Sequence, residues 1–64
     1  MDTKIRNSIL EEAKNSKKPV KVFITNGFQM TGVVMEFDDV TVLLGDADGK
    51  RNLVFQASIS TISI

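Results

Sequence analysis

The spacing of apolar and polar positions changes period once along the chain. In the first eighteen residues Ile5, Ile9 and Ala13 recur at helical spacing with Leu10 beside them, which predicts an amphipathic helix with a narrow apolar stripe. Asp2 or Thr3 can cap its start. Lys14, Lys17 and Lys18 gather near its end, where the helix dipole favours cations, and Asn15-Ser16 followed by Pro19 stops it. So narrow a stripe does not support a free-standing helix, so the helix is expected to lie as a lid on something larger.

From Val20 the period is two. Val20, Val22 and Ile24 can face inward while Lys21, Phe23 and Thr25 face the other way, as a half-buried strand requires. Asn26-Gly27 is the preferred pair for a two-residue type I′ turn, whose central positions both need positive φ. A second strand is expected from Phe28 to Glu36 or Phe37. Gly32 in its middle marks a bend or a close backbone approach. Asp38-Asp39 suits the next turn, and Val40 to Leu44 the third strand. Gly45-Asp46-Ala47-Asp48-Gly49-Lys50 reads as a hairpin loop. Arg51 to Gln56 and Ile59 to Ile64 complete five strands, with Ala57-Ser58 as the corner between the last two. The expected fold is mainly β: one domain over 1–64, with a helix at 1–18 and a strongly bent, partly open five-stranded barrel at 19–64.

Size makes that barrel marginal. A domain of 64 residues buries only about 60% of the surface its unfolded chain exposes. The chain has no Cys, His, Tyr or Trp, so disulfides and ordinary structural zinc sites cannot compensate, and most nucleophile and base pairings are excluded with them. Assembly into an oligomer is the remaining source of burial. The Asp-x-Asp-Gly in the fourth loop superficially matches half a calcium loop, but a third oxygen position and the closing Glu are missing. No metal or other cofactor is expected. No apolar run approaches a membrane span, and Met1-Asp2-Thr3-Lys4 leads into no signal-peptide core, so the expectation is a soluble, cytoplasmic protein with no membrane partner.

Eight basic and eight acidic residues cancel overall, but not locally. Residues 1–21 hold six bases against three acids, and the remainder holds two bases against five acids, so one end of the molecule is basic and the other acidic.

Val22 to Val34, then Phe37-Asp38, Val42-Leu43-Leu44 and Ile59-Ser60-Thr61 resemble, in this order, the bacterial Sm-like RNA chaperones of the Hfq family. The likeness covers nearly the whole chain, including the short helix and the proline before the first strand. It implies an Sm-like, SH3-like open barrel that assembles into a usually hexameric homo-oligomeric ring, with no catalytic step. An open barrel leaves two unpaired edges, and a contact between Leu53 to Gln56 of one copy and Ile59 to Ile62 of the next would satisfy both.

The resemblance further implies three RNA-binding surfaces. The face away from the helices takes purine-rich, typically A-rich, strands from small RNAs and messenger RNAs. Its residues map onto Phe23, Ile24, Asn26, Gly27, Phe28, Gln29, Met30, Thr31, Asn52 and Thr61. Phe23 and Phe28 offer stacking surfaces worth about 1 to 3 kcal/mol per base, and Gln29, Thr31 and Asn52 offer groups for base edges. An aromatic within a strand, as Phe23 is, commonly serves packing instead. On the pore face the family carries Tyr-Lys-His, a helix Gln and a Phe after Phe-Asp. This chain has Phe55-Gln56-Ala57, Arg6 and, beside Asp39, Val40. The charge, the imidazole and the stacking ring are lost together, which implies impaired uridine binding even if Gln56 meets a base edge or Arg6 a phosphate. At the rim Lys14, Lys17 and Lys18 match the family's basic cluster, diluted by Asn15 and Ser16. Beside this reading stands a second: a structural or interaction module that forms mixed rings with a full-function relative or has lost RNA binding.

Overall fold

A single helix and five antiparallel strands make up the computed structural model, which describes residues 3–64. Helix α1 (Thr3–Ser16) is followed by β1 (Val20–Ile24), β2 (Gln29–Phe37), β3 (Thr41–Gly45), β4 (Arg51–Phe55) and β5 (Ile59–Ser63), with a 3₁₀ turn at Gln56–Ser58. The expected cap at Asp2 or Thr3 lies outside the residues whose side chains are described. At its other end α1 stops where Lys17 takes the left-handed conformation (φ 56°) and donates its N–H to the Ala13 carbonyl at 3.2 Å, while the Ser16 hydroxyl donates to the same oxygen at 3.1 Å.

The strands form one sheet in the order β4-β3-β2-β1-β5, so β4 and β5 are its two edges. β2 belongs to both halves. Its first part pairs with β1 (Val20 opposite Gly32) and its second with β3 (Val33 opposite Gly45). The changeover falls at Gly32, where an added Cβ would meet the Gly45 carbonyl oxygen at 3.0 Å. The strand therefore bends where the backbones approach most closely, as the lone glycine predicted.

Leu10, Ala13, Val20, Val22, Val34, Val42, Leu44 and Val54 are buried and form the core, with Ile24, Met30, Phe37, Ile59 and Ile62 packed on it. The alternation expected for the first strand is thus observed. The helix stripe differs from expectation: α1 packs on β2 through Leu10 and Ala13, Ile9 is half-buried, and Ile5 is 68% exposed. Ile5 misses the core because the first turn of α1 overhangs the β5 edge, where Ile5, Arg6 and Ile9 face Ile59 and Ile62 across a groove of about 340 Å³.

The first hairpin corrects the turn expectation. Gly27 N–H donates to the Ile24 carbonyl (2.9 Å) and Ile24 N–H to the Phe28 carbonyl (2.8 Å), and Gly27 has φ 97° while Asn26 has no positive φ. This is a three-residue loop, a turn followed by one left-handed glycine, and not the two-residue type I′ turn. The Asn26 side chain accepts from Phe28 N–H at 3.1 Å, which stabilises the longer loop. The β3–β4 hairpin repeats the design, with Gly49 at φ 83° and the Asp46 carboxylate accepting from the N–H groups of Asp48 (3.0 Å) and Lys50 (2.9 Å).

Candidate nucleic-acid interface

The loop length decides which side chains share the outer face. With three residues in the loop, Phe23 on β1 stands opposite Gln29 on β2 and opposite Thr61 on β5. A two-residue turn would have slipped the register by one and set Met30 beside Phe23. Instead Met30 pairs with Val22 and packs on the core. Phe23, Gln29 and Thr61 thus form one row across three strands, and Lys21, Thr31 and Ser63 form the next. Phe23 is half-buried, Gln29, Thr31 and Thr61 are exposed, and Phe28 at the hairpin tip is 69% exposed. Phe23 therefore presents part of its ring outward and does not belong to the buried core.

Two ties hold this face to the β5 side. Thr25 N–H donates to the Ser58 carbonyl at 2.8 Å, and the Ser60 hydroxyl donates to the Phe23 carbonyl at 3.1 Å. Of the purine-face residues expected from sequence, Phe23, Gln29, Thr31 and Thr61 come together on the sheet, with Asn26, Gly27 and Phe28 at its hairpin tip. Ile24 and Met30 turn toward the core. Asn52 lies on β4, at the opposite edge of the sheet from Thr61. Lys21 was not counted among the site residues, although the alternation already set it on the same face as Phe23. It adds a cation within one row of the aromatic.

The pore-side residues form a different kind of cluster. Gln56 is buried, its side-chain amide donates to the carbonyl oxygens of Asp38 and, at 3.4 Å, of Thr41, and its backbone N–H donates to the Val40 carbonyl at 2.8 Å. The donor expected from sequence to meet a base edge is thus engaged within the chain, and Gln56 Oε1 has no partner. Arg6 Nη2 donates to the Asp39 carbonyl at 3.3 Å, while Val40 is 61% exposed. Arg6, Asp39, Val40 and Gln56 are therefore adjacent, tied to one another through the Arg6–Asp39 and Gln56–Val40 bonds and to Asp38 and Thr41 beside them. The Asp38 carboxylate, which accepts from Val40 N–H (2.8 Å), Thr41 N–H (2.6 Å) and the Thr41 hydroxyl (2.9 Å), is held below the usual carboxylate range by those bonds.

At the rim Lys17 and Lys18 are exposed, and Lys14 makes an ion pair with Glu36 at 2.9 Å. The hydrogen bond that Lys14 donates to the Glu36 carboxylate, and then the carboxylate's charge, raise the Lys14 pKa above the ordinary lysine value. Among the described residues no cluster of acidic side chains is arranged to hold a metal ion, and no helix is long and apolar enough to cross a membrane.

An N-terminal helix over a strongly bent, open sheet with unpaired β4 and β5 edges defines an Sm-like barrel. The structure overlays on a crystal structure of the pleiotropic translational regulator Hfq with a TM-score of 0.86 at 40% identity, covering 94% of this chain and 98% of that one. Among curated proteins, the RNA-binding protein Hfq of Oceanobacillus iheyensis is 46% identical over 59 residues, spanning 92% of this chain and 78% of its own. The RNA-binding protein Hfq of Clostridium perfringens is 42% identical over 59 residues, spanning 92% and 72%. The model of the Hfq protein family matches residues 5–64, and the chain belongs to that family, whose members are RNA-binding proteins and not enzymes.

Proposed function

We propose that this chain is a cytoplasmic, ring-forming RNA-binding protein of post-transcriptional regulation that works through its purine face and has an impaired pore face. The observation that carries this is the outer-face row of half-buried Phe23 with exposed Gln29 and Thr61, beside exposed Phe28, which joins two stacking surfaces to groups that can hydrogen-bond base edges. Lys21 in the adjacent row supplies a charge for the phosphate between stacked bases.

Asn52 and Thr61 sit on opposite sheet edges, so one copy holds only part of the slot. A neighbour docked β4 against β5 would bring them together, and closing such head-to-tail contacts gives a ring, hexameric by likeness to the family. On the other side, Gln56 spends its amide on Asp38 and Thr41, and Val40 offers no ring to stack, which supports loss of uridine binding.

Fluorescence anisotropy with labelled oligo-A and oligo-U tests both faces at once. Oligo-A should bind more tightly than oligo-U, and Phe28→Ala should weaken oligo-A by more than about 1 kcal/mol. Equal affinities, or no binding to either, would sink the assignment and favour an interaction module that enters rings of a relative.

A further inference from the structure

We propose that Glu36 closes the helix-end rim to RNA: from within the chain its carboxylate takes the place at Lys14 that an RNA phosphate would occupy, and so confines RNA binding to the purine face. This rests on the reading of the chain as an RNA-binding protein.

A bulge in β2 puts Glu36 where it can do this. The β2–β3 register shifts between Val34 and Glu36, so Met35 and Glu36 are both exposed in succession, where strict alternation would have sent Glu36 inward after Met35. Glu36 then reaches across to α1 and meets Lys14 Nζ at 2.9 Å. Beside that contact runs a shallow groove of about 410 Å³ lined by Lys14, Asn15, Lys17, Val33, Val34 and Met35. An apolar floor with lysines on its lip would suit a base with its phosphate held at the edge. Glu36 stands at the Lys14 end of that lip and cancels the charge the phosphate would need.

The Lys14 side chain is 35% exposed and that of Glu36 is 69% exposed, so the pair is wet and a phosphate competes with it on nearly equal terms. Glu11, one turn earlier on α1, adds a second negative charge near Lys14. The raised pKa of Lys14 keeps it cationic throughout the neutral range, so the rim is silenced by pairing and not by deprotonation. The closure is therefore partial, set by one residue and sensitive to salt.

A double-mutant cycle on the intact protein decides it, with a labelled abasic phosphodiester strand as the probe, because such a strand has no bases for the purine face to stack. Wild type should bind it weakly, and Lys14→Gln should lower that affinity much less than it does in the Glu36→Gln background. Glu36→Gln should bind about fivefold more tightly at low salt, with the salt slope steepened by about 0.7 for each phosphate contact recovered. Adding Lys14→Gln to Glu36→Gln should return the affinity to wild type. No gain in Glu36→Gln would overturn the proposal, as would a gain that survives loss of Lys14, since that would mark a general field effect. Equal weakening by Lys14→Gln in both backgrounds would show that Lys14 already reads phosphate. Glu36→Ala repeats the comparison without the amide, and circular dichroism confirms folding of each variant. The same proteins titrated with oligo-A separate the two readings: wild type that ignores oligo-A defeats the purine-face assignment and leaves the abasic-strand result standing.

Discussion

Gln56 holds Asp38 from eighteen residues away, its buried side-chain amide donating to the carbonyl of a residue in the turn between β2 and β3. The same amide reaches the Thr41 carbonyl at 3.4 Å, so one side chain ties the 3₁₀ turn after β4 to both ends of that turn. Gln56→Ala should cost about 1 to 3 kcal/mol, because it removes these bonds and empties a packed position. Gln56→Leu should cost less, since it fills the space and also removes the unpartnered Oε1. Urea denaturation at fixed protein concentration reads both as shifts in midpoint at constant slope. A Leu variant weaker than the Ala variant would show that the amide bonds, and not the packing, dominate.

The Asp38 carboxylate anchors the same turn, and the sign of its pH effect follows from its depressed pKa. The N–H of Val40, then the N–H and hydroxyl of Thr41, bond the ionised form and lower its pKa below the ordinary 3.8. Its contribution is present above the unfolded value and is lost as pH falls through the lower folded value. Asp38→Asn keeps an acceptor oxygen but does not titrate. The stability difference between wild type and Asp38→Asn should therefore be constant at neutral pH and shrink as the solution is acidified from about pH 5 to about pH 2. Thermal melts across that range check it, and a difference independent of pH would show that the turn is held equally by the neutral side chain.

Two glycines face each other across the bend of β2 but differ in what a methyl group would meet. At Gly32 the new Cβ would lie 3.0 Å from the Gly45 carbonyl oxygen, which is backbone, and 3.4 Å from the Leu44 Cβ. At Gly45 it would lie 2.7 Å from the Met35 sulfur, the far end of a flexible side chain that is 44% exposed. Gly32→Ala should therefore cost about 1 to 3 kcal/mol, and Gly45→Ala distinctly less, because Met35 can swing away. Equal losses in urea midpoints would mean that Met35 is fixed more firmly than its exposure indicates.

The helix, the strand count and the bend were legible because each depends on local pattern: helical spacing over Ile5 to Ala13, alternation from Val20, and a side-chain-free position at Gly32. The first turn was not. Asn-Gly serves both a two-residue turn and a longer loop ending in a left-handed glycine, and the choice is made by burial of Met30 opposite Val22, which lies outside the turn itself. Ile5 was assigned to the helix stripe because periodicity does not reveal where a helix overhangs its sheet. The aromatic, Gln and Thr of the outer face were identified, and the expected fourth- and fifth-strand edges already set Asn52 and Thr61 on opposite sides of the sheet. Lys14 was read as a rim cation, and Glu36 opposite it was invisible, since the bulge that turns Glu36 outward leaves no mark in the pattern.

On the proposed purine face the separation of Asn52 from Thr61 calls for assembly to complete the slot, and the two free edges are suited to supply it. On β4 Leu53 is 60% exposed and Phe55 57% exposed, while the groove between α1 and β5 is lined by Ile5, Ile9, Ile59 and Ile62. Leu53 pairs with Leu43 and Phe55 with Thr41, so both β4 side chains point away from the core of their own copy, toward whatever docks on that edge. A carboxylate at Leu53 would be buried without a partner in a β4–β5 contact, and burying an unpaired charge strongly opposes that contact. Leu53→Glu should therefore convert rings to single subunits at micromolar concentration by native mass spectrometry, and oligo-A affinity should fall with it even though Phe23, Phe28 and Gln29 are untouched. If the subunits separate while oligo-A binds as before, the slot is complete within one copy and Asn52 has no part in it. If the ring survives with its mass unchanged, neighbouring copies do not meet through this row of β4.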